Sequence, residues 1–253
     1  MPVFVRFSGL FVLRKKLVVS NFFTFVTMIK VLYIQIPEIV EREKLCTRLQ
    51  DFVSIECYSE AVRYKNKEVS LRHLLGATLV SFALWKYWNL SIENCRISRG
   101  IKGKPFVVGH KNIFFNISHS GKYVVCAVSD REVGIDIEKR AKARMEVAGR
   151  FFHEQEVAML KSLSGTEQDR LFFNYWAVKE SFLKCIGTGL TRPLNTFIVK
   201  FTGIKIVLCE ERNVLPLCVS VCPVDPDYAC YVCGESEKIS VIQEVTFEEI
   251  TCY

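Results

Sequence analysis

The feature that most restricts the fold is a run of strand-like segments in the middle of the chain. Apolar and β-branched residues fill 112–117, 122–129 and 131–138, with only short turns between them. These strands follow one another without a helix between them, unlike the strict alternation of strands and helices in a parallel sheet. Long helical patterns at 68–88 and 167–186 lie on either side of this run. The sequence therefore predicts an α+β fold and argues against a doubly wound parallel sheet.

A second group of helices and strands follows in the C-terminal part of the chain. Strand patterns occur at 195–210 and 217–233, and 239–247 has the pattern of an edge strand. Each half therefore offers helices with antiparallel strands, although no sequence repeat connects the two. We expect an N-terminal half at 28–130 and a C-terminal half at 131–253.

Charge and cysteine content exclude several classes of protein. The chain has 34 basic and 27 acidic residues, a net charge of +7, but its first 27 residues hold four of the bases and no acid. The remainder carries 30 basic and 27 acidic residues, which leaves no broad cationic groove for nucleic acid. The 11 cysteines are scattered and odd in number, which is typical of reduced thiols in a cytoplasmic protein.

The first 27 residues form an N-terminal extension with three interpretations. Residues 17–29 are uncharged and follow a basic cluster, as in a targeting peptide, but this run of about 13 residues is too short to span a bilayer. An added β-strand is the second interpretation, and a start codon upstream of natural initiation is the third. We expect translation to begin at Met28, where a strand pattern (28–36) and then a helical pattern (38–53) start, and we expect no membrane association.

Two carboxylates lie close together in the segment Gly-Ile-Asp-Ile-Glu at 134–138. Because side chains alternate along a strand, Asp136 and Glu138 share one face while the isoleucines between them face the core. Adjacent carboxylates repel each other unless a cation lies between them, and such oxygen ligands suit Mg²⁺. An exposed strand face, whose acids pair with the two basic residues that follow, is the simpler alternative.

Trp176, Glu180 and Lys184 recur at intervals of four residues, so they lie on one face of the helical pattern at 167–186. Lys179 is the neighbour of Glu180, rotated by about 100° around the helix. A Glu and a Lys four residues apart commonly form a surface pair worth a few tenths of a kcal/mol. The many aromatic residues of this helix indicate that it is buried instead, and buried charges need a partner or a function.

A polar segment, Phe-Asn-Ile-Ser-His-Ser-Gly, occupies 115–121, where we expect a turn over Ser118–Gly121. Two hydroxyls, an imidazole and free backbone N–H groups at a strand end suit a phosphate. A hairpin turn with a structural histidine is the alternative. Lys104 in a Gly-Lys-Pro turn and Arg72 near the start of the 68–88 helix are further cations, each uninformative alone.

Four motifs together make the chain resemble the surfactin-type 4'-phosphopantetheinyl transferases: G-K-P at 103–105, F-N-I-S-H-S-G at 115–121, G-I-D-I-E at 134–138 and W-x-x-K-E-x-x-x-K at 176–184. The resemblance runs from about Met28 to the C-terminus. It implies a monomer of two similar α+β halves with the active site in the cleft between them. It also implies transfer of 4'-phosphopantetheine from coenzyme A to a serine of an apo acyl or peptidyl carrier protein, with release of 3',5'-ADP.

The resemblance assigns roles to eight residues by their positions in these motifs. The Mg²⁺ ligands would be Asp136, Glu138 and Glu180. The phosphates and nucleotide of the coenzyme would be held by Arg72, Lys104, Ser118 and His119. Lys184 would reach the pyrophosphate and neutralise or protonate the leaving phosphate, and Glu180, or a water on the metal, is our candidate base for the carrier serine.

One stretch departs from the family pattern. The family usually carries a cluster of basic residues ahead of the arginine matched by Arg72, whereas this chain offers only Arg63, Lys65 and Lys67 there. The way in which the adenine and the 3'-phosphate are held is therefore open.

Two other functions could use the same acidic residues. One is a Mg²⁺-dependent phosphohydrolase or nuclease, which the near-neutral charge of the main part of the chain disfavours for nucleic acid. The other is a module that binds coenzyme A or a carrier protein without catalysis, which the intact acidic residues and Lys184 disfavour. The sequence does not name the carrier protein.

Overall fold

The computed structural model describes residues 28–36, 42–94, 96–203, 205–236 and 238–253. The N-terminal extension, with its three interpretations, lies outside the described residues, and so does the start of the helix expected at 38–53. Within the described residues, no helix combines the length and the apolar character that crossing a bilayer requires.

The secondary structure confirms the predicted α+β class. The first part of the chain forms β1 (Ile29–Gln35), α1 (Arg42–Arg48), α2 (Ile55–Ala61), α3 (Lys67–Trp88), β2 (Ile97–Arg99), β3 (Pro105–Val107), β4 (Phe114–Ser120) and β5 (Tyr123–Ser129). The second part forms β6 (Val133–Lys139), α4 (Met145–Phe151), α5 (Glu154–Lys161), α6 (Gly165–Ile186), β7 (Ile198–Phe201), β8 (Ile206–Glu210), β9 (Asn213–Val214), β10 (Cys218–Val221), β11 (Tyr228–Gly234) and β12 (Ile239–Glu244).

Two sheets carry most of the strands. The first has the order β12-β1-β5-β4, and the second has the order β6-β11-β10-β8-β7 with β9 beside β8. The predicted edge strand at the C-terminus is confirmed as β12, which pairs in parallel with β1. The last strand therefore belongs to the sheet of the N-terminal part, and the division of the chain at residue 130 remains a prediction.

Helix α3 covers the first sheet and places Arg72 and His73 at its polar side. The helix begins after Asn66, whose side chain accepts a hydrogen bond from the Glu68 N–H at 2.9 Å. It ends at Trp88, and the next residue, Asn89, takes the left-handed conformation (φ 53°) that closes many helices. Buried leucines along the helix pack against β5 and fix the rotation of the helix about its own axis. The positions of Arg72 and His73 relative to the sheet are therefore fixed as well.

The edge strands β4 and β6 of the two sheets lie side by side, joined through side chains. Asn116, Ser118 and Ser120 accept hydrogen bonds from alternate backbone N–H groups of β6 at 2.9, 3.4 and 3.0 Å. The turn expected at Ser118–Gly121 is therefore wrong in position: it falls at Gly121 and Lys122, after β4 has ended. These polar side chains of β4 suggest a turn when only the sequence is considered. In the structure they act as hydrogen-bond acceptors for β6, in place of the backbone partner that an edge strand lacks.

Helix α6 lies directly on β6 because Gly134 has no side chain. A Cβ atom at Gly134 would stand 2.2 Å from both Ser181 O and Cys185 N, which are backbone atoms of α6. This close approach brings Glu180 and Lys184 of the helix toward the carboxylates of β6.

We expect Gly134→Ala to lower the free energy of unfolding by about 1–3 kcal/mol, the usual cost of overpacking. The cost arises because the atoms in the way belong to the α6 backbone, which cannot rotate aside. Urea unfolding followed by circular dichroism measures it. Gly149→Ala in α4 is the matched control, since an added Cβ there meets nothing within 4 Å. Equal stability of the Gly134 variant and the wild type would contradict the close packing.

Candidate active site

A cavity of about 730 Å³ is lined by residues of both parts of the chain. It brings together seven of the eight predicted site residues: Arg72, Ser118, His119, Asp136, Glu138, Glu180 and Lys184. Trp176, on the same face of α6 as Glu180 and Lys184, lines it as well. The predicted strand face and the predicted helix face therefore meet at one site.

Asp136 is the centre of the polar network in this cavity. Lys184 Nζ donates to Asp136 Oδ1 at 2.6 Å and to Ser118 Oγ at 3.0 Å, and Ser118 Oγ donates to the same Oδ1 at 2.8 Å. Asp136 is only 4% exposed, which contradicts the alternative of a solvent-exposed acidic face. Its second oxygen, Oδ2, is buried and has no hydrogen-bond partner among the described residues. A buried acceptor left unpaired costs free energy, so this oxygen is suited to a ligand that brings positive charge.

The other two carboxylates are held in an unfavourable electrostatic environment. Burial, followed by the charge of Asp136, raises the pKa of Glu138 to about 7, although Ser120 Oγ donates to its Oε2 at 3.1 Å. Burial and then Asp136 also raise the pKa of Glu180, against the opposing effect of Lys184. Because the charge of Asp136 helps to raise the pKa of both glutamates, a cation bound between the three carboxylates would stabilise their charged forms.

Lys179 lies on the other side of α6 and is fully buried. Its Nζ forms an ion pair with Glu156 Oε1 at 2.9 Å and donates to the carbonyl oxygens of Leu194 and Phe197 at 2.9 and 2.8 Å. The same Glu156 Oε1 accepts the Val199 N–H at 2.7 Å. This pair joins α5, α6 and the start of β7, so it is structural. Sequence reasoning missed Glu156, because nothing local to that residue marks it as buried.

Arg72 and His119 line the cavity from α3 and β4. Arg72 Nη2 donates to Gly121 O at 2.6 Å and pairs with Glu68 at 2.6 Å. Loss of solvent around the imidazole lowers the pKa of His119, and the nearby charge of Arg72 lowers it further. His119 is therefore uncharged at neutral pH, and Arg72 carries the positive charge on this wall.

Lys104 is not brought together with the other seven predicted residues. Its Nζ pairs with Glu132 and donates to Cys185 O at 2.6 Å and to Val133 O at 3.2 Å. These bonds tie the start of β3 to the end of α6 and the start of β6. A contact between Lys104 and the coenzyme remains a prediction.

The cavity extends into a second part, which we call the α2 lobe and define by five residues: Glu56, Cys57, Glu60, His73 and Arg99. Cys57 Sγ lies 3.5 Å from His73 Nε2. The basic residues noted in this stretch of sequence, Arg63, Lys65 and Lys67, are exposed and do not line the cavity. Sequence reasoning did not identify the lobe, since its residues come from α2, α3 and β2.

Comparison with known proteins assigns the chain to a family. Residues 132–233 match the model of the 4'-phosphopantetheinyl transferase superfamily, and residues 43–131 match that of the 4'-phosphopantetheinyl transferase N-terminal region. The chain is 35% identical to the 4'-phosphopantetheinyl transferase gsp of Aneurinibacillus migulanus, over 82% of this chain and 86% of that protein. It is 34% identical to the 4'-phosphopantetheinyl transferase Sfp of Bacillus subtilis, over 80% and 92%.

A more distant relative is found in an animal. The L-aminoadipate-semialdehyde dehydrogenase-phosphopantetheinyl transferase of Mus musculus is 29% identical over 70% of this chain and 57% of its own length. The two family models together cover residues 43–233, a range that contains all seven predicted site residues that line the cavity. The chain therefore belongs to the 4'-phosphopantetheinyl transferase superfamily.

Proposed function

We propose that this chain transfers the 4'-phosphopantetheine of coenzyme A to a serine hydroxyl of an apo acyl or peptidyl carrier protein and releases 3',5'-ADP. One observation supports this most strongly: Asp136, Glu138, Glu180 and Lys184 occupy one end of a single cavity. Transfer at a pyrophosphate depends mainly on positioning and on neutralising charge, and these four side chains offer both signs of charge in one place.

The oxygen atoms at this end of the cavity suit Mg²⁺. Within the part of the chain that the structure describes, no three His, Cys, Asp or Glu side chains are already arranged to hold a metal ion. The unpartnered Oδ2 of Asp136 and the raised pKa values of Glu138 and Glu180 nevertheless fit a divalent cation, since carboxylates are its preferred ligands. We assign these three residues as ligands. When bound, the ion would neutralise charge on the pyrophosphate.

The remaining chemistry falls to two side chains of α6. The serine oxygen forms a bond to the phosphorus that carries pantetheine, and the bond from that phosphorus to the bridging oxygen breaks. Glu180 is the candidate base that takes the serine proton, because burial raises the pKa of its carboxyl above the ordinary value and so makes it a stronger proton acceptor than an exposed glutamate. Lys184, one turn further along α6, neutralises the charge that develops on the leaving 3',5'-ADP.

Arg72, Ser118 and His119 are assigned to donor binding, and His119 gives a prediction. We expect His119→Ala to raise KM for coenzyme A about tenfold, the effect of about 1.4 kcal/mol, with a smaller change in kcat. The reason is that a contact made equally in the ground and transition states affects binding alone. Steady-state kinetics measure it, with His110→Ala outside the cavity as the control. A large loss of kcat at unchanged KM would instead give His119 a role in the chemical step.

The proposal is tested by the mass of a carrier protein. The chain is incubated with coenzyme A, Mg²⁺ and a panel of apo acyl and peptidyl carriers, and each carrier is analysed by intact mass spectrometry. We expect at least one carrier to gain a single phosphopantetheine arm, and a carrier whose acceptor serine is replaced by alanine to gain none. An unchanged mass for every carrier would contradict the proposal.

We place this reaction in the cytoplasm, without a nucleic-acid or membrane partner. The buried cysteines Cys126, Cys185 and Cys230 are free thiols. Cys185 and Cys230 each lie close enough to another cysteine to interact with it, yet neither forms a disulfide. Proteins of oxidising compartments commonly use such residues in disulfides, which supports a reducing compartment.

A further inference from the structure

The α2 lobe is the part of the cavity that the chemistry described above does not use. The carrier serine belongs to a protein, which cannot enter a cavity of about 730 Å³, so the pantetheine arm must point toward the outside. The leaving nucleotide then occupies the cavity itself. With the pyrophosphate beside Lys184 and Arg72, the space left for the ribose and its 3'-substituent is the α2 lobe, which adjoins Arg72 through His73.

Neutral and acidic groups dominate the lining of this lobe. Burial, followed by the charge of Glu60, raises the pKa of Cys57 to about 11, so the thiol is neutral. Burial also lowers the pKa of His73, so its imidazole is uncharged at neutral pH. Glu56 and Glu60 add two carboxylates at the solvent-exposed edge of the lobe, and Arg99, which is also exposed, is the one cation among the five residues that define it.

The cations near the lobe, Arg72, Arg96 and Arg99, each already have an acidic neighbour, and for Arg96 this neighbour is Glu56. The charge of Glu60 favours a higher pKa for both Cys57 and His73, whereas the charge of Arg99 favours a lower one. The two charges therefore oppose each other within the lobe. Arg99 Nη1 also donates to Gly103 O at 3.3 Å. Arg72, at the border of the lobe, is engaged by Glu68 and by a backbone carbonyl. A phosphate monoester carries a charge of about −1.5 to −2 at pH 7 and would meet two carboxylates here without an uncompensated cation.

We infer that the α2 lobe selects a donor whose ribose carries a free 3'-hydroxyl, so that this enzyme uses dephospho-coenzyme A at least as efficiently as coenzyme A. The inference rests on the proposed function. A 3'-hydroxyl can donate to Glu60 and accept from a neutral neighbour, whereas a 3'-phosphate has to approach Glu56 and Glu60. The family's basic cluster ahead of Arg72 is absent from this chain, and this absence then reflects a change in donor specificity.

The test compares the two donors in the carrier-mass assay. Both give the same phosphopantetheine arm, so the ratio of kcat/KM for coenzyme A to that for dephospho-coenzyme A isolates the 3'-position. We expect a ratio at or below one for the wild-type chain. A ratio of about ten or more would overturn the inference while the proposed function stands. If neither donor modifies any carrier, the proposed function fails and the inference fails with it.

A charge reversal in the lobe extends the test. Glu60→Lys is expected to raise the same ratio by about tenfold, mainly through coenzyme A, while Glu167→Lys, exposed at the start of α6, leaves it unchanged. An unchanged ratio in the Glu60 variant would count against the inference. Because that variant could fold poorly, inhibition of the wild-type chain provides a second measurement. We expect 5'-AMP to compete with the donor at least as strongly as 3',5'-ADP does, and much stronger inhibition by 3',5'-ADP would overturn the inference.

Discussion

Asp136→Ala is expected to lower the rate of phosphopantetheine transfer by about a hundredfold to a thousandfold, the range seen when one preorganised electrostatic contact is removed from an active site. Asp136 fixes Lys184 and Ser118 through one oxygen and leaves the other unpartnered in the cavity. The substitution therefore removes a proposed metal ligand and frees Lys184 from its position. The measurement is the initial rate of carrier modification at saturating coenzyme A and Mg²⁺.

Two further variants make this result specific. Asp136→Asn keeps the shape of the side chain but loses its charge, so we expect nearly the same loss of rate. Asp51→Ala removes an exposed carboxylate outside the cavity and is expected to have no effect. Circular dichroism establishes that each variant is folded. An Asp136 variant that is folded and retains near-wild-type turnover would show that the assignment of this ligand is wrong.

Lys179→Met should have the largest effect on stability, a loss of about 3–5 kcal/mol in the free energy of unfolding. Both members of its ion pair are buried, with exposures of 0% for Lys179 and 1% for Glu156. Removal of the lysine leaves a buried carboxylate without its cation, with only backbone N–H donors to stabilise it. Urea denaturation measures the loss, and Lys200→Met on the exposed side of β7 is the control.

The loss of stability in Lys179→Met should depend on pH in a defined direction. Burial is the largest influence on Glu156 and raises its pKa even beside Lys179, so removal of Lys179 raises it further. A group whose pKa is higher in the folded state binds its proton more tightly there, so stability is retained at low pH and lost as pH rises through the folded-state pKa. The destabilisation should therefore shrink as the pH falls toward the ordinary range of glutamate. A loss that does not change with pH would contradict a charged, buried Glu156.

Periodicity in the sequence was enough to predict the elements that carry the site. The alternation of side chains along a strand placed Asp136 and Glu138 on one face. The interval of four residues along a helix placed Glu180 and Lys184 on one face of α6. Those spacings are local properties of a strand and a helix, so the fold does not change them. The meeting of the two faces followed from family resemblance, since periodicity alone does not show that α6 packs on β6 at Gly134.

Contacts between distant parts of the chain account for what the sequence did not reveal. The contact of Lys104 with the phosphates remains a prediction, and no local signal shows that its Nζ reaches Cys185 O, 81 residues away. Ser118 and Ser120 have turn-like chemistry, yet they accept hydrogen bonds from β6 because β4 is an edge strand. The partners in these cases are set by tertiary packing, which outweighs local preference for polar residues.

The stoichiometry of the reaction distinguishes metal-dependent transfer of phosphopantetheine from hydrolysis. Modified carrier and released 3',5'-ADP are quantified in the same sample, with coenzyme A and Mg²⁺ and again with excess EDTA. We expect one 3',5'-ADP for each modified serine in the presence of Mg²⁺, and loss of both products in EDTA. Release of 3',5'-ADP without a modified carrier would indicate hydrolysis instead of transfer, and full transfer in EDTA would contradict the role given to Asp136, Glu138 and Glu180.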